Sequence, residues 1–220
     1  MTTPGSLETA PRAHPLLAGA LAALLAAGCA LTSKNEPIVP RYFSPDRPGD
    51  AARLGPRPPA LLEELRLGRV TSASHLDERL VYRDSDYELG YYQERRWTEA
   101  PDGYLKRRLS RALFEERGLR RVVGGAAATL EVELIAFDEI RVPKRIARVQ
   151  VIVRLSGPRL VRWEETLTVD QPLAAASKGD GADAAVEGLG AALREIVERI
   201  ADRVVRELAL DTNAVTVPSP

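Results

Sequence analysis

The chain has 220 residues, of which 45% are hydrophobic and 28% charged, a composition typical of one folded globular domain. Its 31 basic residues balance its 31 acidic residues, so no net charge attracts it to nucleic acid, which we exclude as an expected partner. Cys29 is the single cysteine, and the fold therefore cannot depend on a disulfide within the chain.

The first 28 residues have the pattern of a bacterial signal peptide. Arg12 and His14 precede the apolar run LLAGALAALLAA at 16–27, which is too short to span a bilayer. Small residues and then Cys29 follow this run, an order that resembles the lipobox at which bacterial lipoproteins are cleaved. We predict that residues 1–28 form a lipoprotein signal peptide. The alternative is an ordinary secretory signal or an uncleaved anchor, with the cysteine uninvolved.

The predicted lipid anchor determines the expected location. Cys29 would carry diacylglycerol and an N-acyl chain such as palmitate, and each buried CH₂ contributes about 0.8 kcal/mol to membrane binding. Residues 29–37 would form a tether. Ala30 follows the cysteine where an aspartate would resemble an inner-membrane retention signal. We therefore expect the protein at the periplasmic face of the outer membrane rather than at the inner membrane.

A folded domain is predicted over 38–210, beginning with short strands. Residues 38–43 could form a first strand, and the five prolines of 44–59 predict a loop because proline lacks a backbone donor. Weak alternation and turn residues indicate further strands over 65–70, 80–82 and 87–92, with a turn at 84–86.

The second half of the chain contains the stronger patterns. Pro101–Gly103 opens a helix whose apolar residues recur at helical spacing until Gly118. Three strands of a meander follow, and Glu165 interrupts the third, which indicates a bulge or an edge strand. Their alternating residues fall within 130–136, 147–155 and 161–169.

The longest amphipathic pattern covers 183–208 and predicts a second helix. Residues 211–220 lack periodicity and are expected to be disordered. Two amphipathic helices can cover one face of a sheet. The predicted fold is therefore α+β, a mostly antiparallel sheet with two helices on one face.

The residues offer little chemistry for catalysis or metal binding. His75 is the only histidine after the predicted cleavage site, and although Asp77 is close in sequence, no nucleophile motif accompanies them. Gly124 and Gly125 lack the Lys-Ser/Thr of a phosphate loop. With no Cys/His cluster, we expect a non-enzyme with no metal and no cofactor other than the covalent lipid.

Aromatic residues are concentrated in one short segment. Tyrosine and tryptophan combine a large rigid surface with a polar tip, so they suit either an interface or a core. Tyr91 and Tyr92 are neighbours on a predicted strand and must face opposite ways, so at most one belongs to the core. We predict that Tyr92, together with Arg95, is surface available to a partner. The segment contains Tyr82, Tyr87, Tyr91, Tyr92 and Trp97.

From Leu65 onwards the sequence contains a Leu-Asp before a Val-Tyr-Arg strand, a Tyr-rich strand, and an Arg-Trp before a helix. In this chain these are Leu76-Asp77, Val81-Tyr82-Arg83, Tyr91-Tyr92 and Arg96-Trp97. With these motifs the sequence resembles the ABC-type transport auxiliary lipoproteins, the family that includes the PqiC lipoprotein.

The resemblance implies a membrane-anchored accessory subunit that works with an MCE-domain protein and an ABC transporter to move lipids between two membranes. A homo-oligomer is compatible with the unpaired sheet edge expected for a small sheet. The alternatives are a lipoprotein of another outer-membrane pathway, such as lipopolysaccharide or outer-membrane protein insertion, and, more distantly, a periplasmic hydrolase. The candidate partner-binding residues are Tyr82, Arg83, Tyr92, Arg95, Arg96 and Trp97.

Overall fold

The computed structural model describes residues 39–47, 49, 61, 63–173 and 182–215, with the backbone alone at 182 and 211–215. The predicted signal peptide, Cys29, the tether and most of the 44–59 loop lie outside the described residues. The strands are β1 Arg41–Phe43, β2 Glu64–Ser72, β3 Arg79–Arg83, β4 Leu89–Trp97, β5 Arg120–Arg121, β6 Ala128–Ile140, β7 Ile146–Ser156 and β8 Val161–Pro172. The helices are α1 Pro101–Arg111, which continues as a π-helical turn over Ala112–Glu116, and α2 Ala182–Val215.

Strand β6 organises the sheet. On one side it pairs with β7, and β7 pairs with β8, both antiparallel, which forms the predicted meander. On its other side β2 pairs with the first half of β6 and β3 with the second half, both in parallel. Beyond them, β4 is antiparallel to β3, β1 is parallel to β4 and β5 is parallel to β2. The α+β class is confirmed, and the parallel pairs make the sheet mixed.

Both helices pack on one face of this sheet. α1 contacts β2 and β6, α2 contacts β6, β7 and β8, and the two helices contact each other. In β7 the side chains facing them are fully buried from Ala147 to Leu155 at every second residue, as the strand period requires. The opposite face carries polar cross-strand pairs, with Arg148 donating to Asp170 and Arg154 to Glu164.

The end of α2 corrects the predicted tail. The helix continues to Val215, so residues 211–215 are helical and that part of the disorder prediction is wrong. The apolar period ends earlier, and Leu210 is exposed. Residues 216–220 lie outside the described residues. Among the described helices, none is sufficiently long and apolar to span a membrane.

Glu165 was expected to mark either a bulge or an edge strand, and it lies on an edge strand. β8 pairs with β7 alone, and the register shift of this pair falls at Leu155/Ser156, away from the glutamate. The Glu165 carboxylate accepts a hydrogen bond of 2.9 Å from the indole Nε1 of Trp163. The glutamate therefore interrupts the apolar pattern while satisfying the polar atom of a buried neighbour.

Candidate partner-binding surface

The six predicted partner-binding residues lie on two adjacent strands, and the structure separates them by burial. β3 carries Tyr82 and Arg83, and β4 carries the other four. The two strands are antiparallel, so Tyr82 pairs with Gly90 and Arg83 with Leu89.

Trp97 belongs to the core, and its predicted place on a partner surface is wrong. Its side chain is 1% exposed. Its ring centroid lies 5.2 Å from that of Phe137 and 6.3 Å from that of Tyr104, both in tilted or edge-on geometry. The tryptophan ends the last long strand before α1, so it fills the space between the sheet and that helix.

Tyr92 and Arg95 were predicted to be exposed, and this is also wrong, because their side chains are 8% and 9% exposed. The Tyr92 hydroxyl donates to the Glu139 carboxylate, and the Arg95 guanidinium lies 4.6 Å from the Tyr92 ring centroid. Tyr91 faces the opposite side and is partly buried. Its ring lies 3.7 Å from the Arg79 guanidinium. The prediction that Tyr91 and Tyr92 face opposite sides of the sheet is correct. The prediction that Tyr92 is the exposed one of the two is wrong.

Glu139 is the centre of this buried polar cluster. A register shift in β6 between Leu134 and Ala136 changes which residues face the helices, so Phe137 and Glu139 pair with the helix-facing residues Val149 and Ala147 of β7. As a result Glu139, 1% exposed, points inward. It accepts hydrogen bonds from Tyr92 and Arg145, and the Arg141 Nε lies 3.6 Å away. A buried carboxylate requires such partners.

Burial and the hydrogen bond to Glu139 raise the pKa of the Tyr92 phenol above its ordinary value. The phenol therefore stays protonated at neutral pH and remains a donor to the carboxylate. Because this carboxylate is fully paired and closed to solvent, the arrangement supports structure rather than acid–base chemistry.

Tyr82 lies over the backbone of its neighbour. A Cβ atom placed on Gly90 would come within 2.4 Å of the Tyr82 ring, so only glycine lets the ring lie flat there. The ring makes an edge-on contact with Tyr92, with centroids 5.3 Å apart. The Arg141 guanidinium lies 3.5 Å from its centroid. Tyr82 is thus half-buried and held in one orientation by three neighbours.

Arg83 and Arg96 are also fixed by neighbours. The Arg83 Nε donates to the fully buried Asp138 at 2.7 Å, which neutralises that carboxylate. Arg96 donates to the backbone carbonyls of Tyr92 and Arg95, both at 3.1 Å. Both residues are half-buried.

Two turns meet at this end of the sheet. The Arg141 N–H donates to the Arg83 carbonyl at 2.9 Å, and the Arg141 guanidinium lies 3.4 Å from the Asp84 carboxylate. The turn after β3 exposes Tyr87 (99% exposed), and the turn after β6 exposes Val142 (57% exposed). We call Tyr82, Arg83, Tyr87, Arg141 and Val142 the turn surface. It offers aromatic and aliphatic contact area beside guanidinium donors, the combination enriched in protein interfaces.

Comparison with known families decides the class of the chain. A family model described as the ABC-type transport auxiliary lipoprotein component matches residues 46–201. The chain belongs to this family. The family places this auxiliary lipoprotein in the bacterial cell envelope, in association with an ABC-type transport system.

Solved structures share the fold of this auxiliary lipoprotein. Protein XCC0632 from Xanthomonas campestris is 18% identical with a TM-score of 0.66, covering 79% of this chain and 99% of its own. A second crystal structure, of an uncharacterized protein, is 17% identical with a TM-score of 0.56, covering 76% and 99%. At these identities the similarity shows the fold alone. A comparison with curated proteins gave no match.

Sequence reasoning missed the residues that hold the turn surface in place: Gly90, Glu139, Arg141 and Arg145. A glycine inside a strand pattern signals a close approach by a neighbour, and Gly90 carried this signal. Glu139 gave no such sequence signal, because its inward orientation depends on the register shift in β6.

No group of histidine, cysteine and carboxylate side chains suited to a metal occurs within the described ranges. His75 lies half-buried in the turn before β3.

Asp46 ties the segment after β1 to α1, and it makes stability depend on pH. Burial acts to raise its pKa, but hydrogen bonds from Arg107 (2.9 Å) and Arg108 (2.7 Å) outweigh it and lower the pKa. A lowered pKa stabilises the fold above the unfolded-state value of about 3.9, and this contribution disappears as the pH falls through the folded-state pKa.

We therefore expect Asp46→Asn to lower the free energy of unfolding at pH 7 by about 1–3 kcal/mol, since two charge-assisted hydrogen bonds lose their acceptor charge. The deficit should shrink as the pH is lowered from 7 to 3, as measured by urea unfolding followed by circular dichroism. Glu94→Gln, at an exposed position on β4, is the matched control. Equal stability of the two variants at pH 7 would contradict the prediction.

Proposed function

We propose that this auxiliary lipoprotein is a non-enzymatic, partner-binding subunit of an ABC/MCE-type system that transports lipids between the two membranes. In this proposal it is anchored through acylated Cys29 to the periplasmic face of the outer membrane. The observation that carries the proposal is the family match over 46–201, which includes every element that builds the turn surface.

The turn surface supports a binding role. Its guanidinium groups and the Tyr82 ring are already ordered by neighbours, because Arg141 stacks on Tyr82 and Arg83 pairs with Asp138. Ordered side chains lose less conformational entropy on association than free ones. Tyr87 and Val142 are the exposed groups that a partner would bury first. The partner we propose is the MCE-domain protein of the same system.

The test is site-specific photocrosslinking in intact cells. A photoreactive residue in place of Tyr87 should crosslink to an MCE-domain protein, identified by mass spectrometry. The same probe at Leu160, an exposed position in the β7–β8 turn, is the control and should give little of this product. Capture of a lipopolysaccharide or outer-membrane-protein assembly component instead would favour the other pathway and overturn the proposal.

We further expect the double variant Tyr87→Ser/Val142→Ser to reduce copurification of the MCE-domain protein by at least about fivefold, because a few residues, tyrosines prominent among them, carry most of the binding energy of an interface. Both side chains are exposed, so the thermal midpoint should stay within a few degrees. The matched control is Leu160→Ser/Val161→Ser, which removes two apolar side chains that are also exposed and lie outside the turn surface. Equal copurification of the two double variants would exclude the turn surface as the binding site.

A further inference from the structure

A second feature lies away from the turn surface, between β2, α1 and β5. It is a cavity of about 480 Å³. We call it the basic pocket. β2 contributes Arg66 and Leu67, α1 contributes Lys106 and Ser110, and β5 and the residues after it contribute Arg121 and Val123.

The basic pocket has positive charges without matching negative ones. Most described arginines are paired with carboxylates, as Arg69 is with Glu131 and Arg120 with Glu64. Within the described part of the chain, Arg66, Lys106 and Arg121 have no carboxylate within 4.0 Å, and the pocket lining contains none. The whole chain has equal numbers of acidic and basic residues, so the excess of positive charge is confined to the pocket.

The hydrogen bonds of these cations are to neutral groups. The Arg66 guanidinium donates to the Gly125 carbonyl at 3.0 Å, and its Nε is buried without a hydrogen-bond partner. The Arg121 guanidinium donates to the Ser110 hydroxyl and lies 4.2 Å from the Phe114 ring centroid. Neutral partners orient both side chains but leave their charges uncompensated. A ligand that entered the pocket would therefore meet donors already positioned for a negative group.

The donors select the chemistry of the ligand. Two guanidinium groups, one ammonium and one hydroxyl present almost only N–H and O–H donors, which suits the several oxygens of a phosphate better than a single carboxylate. Leu67, which is half-buried, and Val123, which is 93% exposed, also line the pocket, so apolar surface adjoins the charged groups. A phosphate bearing an aliphatic group would match both parts.

We propose that the basic pocket binds the phosphate group of an anionic ligand, either free or as part of a phospholipid headgroup. The site differs from the turn surface in every residue, and it does not require the proposed function to be correct. Arg107 also lines the pocket, but Glu99 and Asp46 neutralise its charge. Binding therefore depends on Arg66, Lys106 and Arg121.

The test is titration calorimetry on the full lipoprotein in nonionic detergent, with two probes: inorganic phosphate and dihexanoyl phosphatidylglycerol below its micelle concentration. We expect Lys106→Gln/Arg121→Gln to weaken binding of the preferred probe by at least about tenfold. The matched control is Lys144→Gln/Arg159→Gln, which removes two exposed charges elsewhere and should change the affinity by less than about twofold. Unchanged thermal unfolding of both variants would show that the fold is intact.

The two probes separate the sources of phosphate. Equal affinity for both would assign recognition to the phosphate alone. If the phospholipid binds more tightly and Val123→Ser weakens that binding, Val123 contacts the acyl or glycerol portion of the lipid. Absence of binding by both probes, or equal weakening by the pocket variant and the control variant, would overturn the proposal.

Discussion

A Cys29→Ser variant is expected to lose all incorporation of labelled palmitate and to migrate as a larger protein, because residues 1–28 are retained. The first transfer to the side chain requires a thiolate-like nucleophile, and a serine hydroxyl is far less acidic than a thiol. Without its diacylglycerol the site is not a substrate for the lipoprotein peptidase. The measurements are metabolic labelling and the mass of the purified protein.

The uncleaved apolar run 16–27 could itself retain the Cys29→Ser variant at a membrane, so a second variant isolates the anchor. Residues 30–220 placed behind a non-lipoprotein secretory signal should appear in the soluble periplasmic fraction. Ala30→Ser, which changes the neighbour and leaves the thiol, should keep both the label and the membrane location. An unlabelled wild-type protein, or a Cys29→Ser protein of unaltered size, would refute the lipobox assignment.

The lipid anchor is predicted from residues that are close together in the sequence. The helices and strands that were predicted correctly also depend on such local patterns. β7 and α2 appear where alternation and the helical period placed them, because each pattern needs only the identity of residues a few positions apart. The parallel pairing of β2 and β3 with β6 was not anticipated. It joins Leu65 to Ala128 and Val81 to Asp138, and no local pattern reports such distant partners.

In the candidate site, local sequence patterns likewise do not determine which single side chains are buried. Alternation placed Tyr91 and Tyr92 on opposite faces, but it does not say which face the helices cover. That choice depends on the β6 register shift, which turns Glu139 inward to meet the Tyr92 hydroxyl. Arginines at 141 and 145 then complete a cluster assembled from residues about 50 positions apart. The sequence therefore marks these tyrosines as core or interface residues, and only the tertiary structure determines which of them is buried.

The burial of Trp97 leads to the largest stability effect. Trp97→Ala is expected to lower the free energy of unfolding by about 3–5 kcal/mol, because it removes the ring that packs on Phe137 and Tyr104 and leaves a cavity between the sheet and α1. A loss of this size is a large part of the stability of an ordinary domain. The measurement is urea unfolding followed by far-UV circular dichroism, which does not rely on the deleted fluorophore.

Two further variants separate packing from polar effects. Trp97→Phe keeps much of the ring volume and removes the indole Nε1, which is buried without a hydrogen-bond partner, so it should cost clearly less than the alanine variant. Tyr87→Ala, at the almost fully exposed turn position, should change stability by less than about 0.5 kcal/mol. Similar small effects of Trp97→Ala and Tyr87→Ala would mean that Trp97 is not buried in the core. In that case its original assignment to the partner surface would be restored.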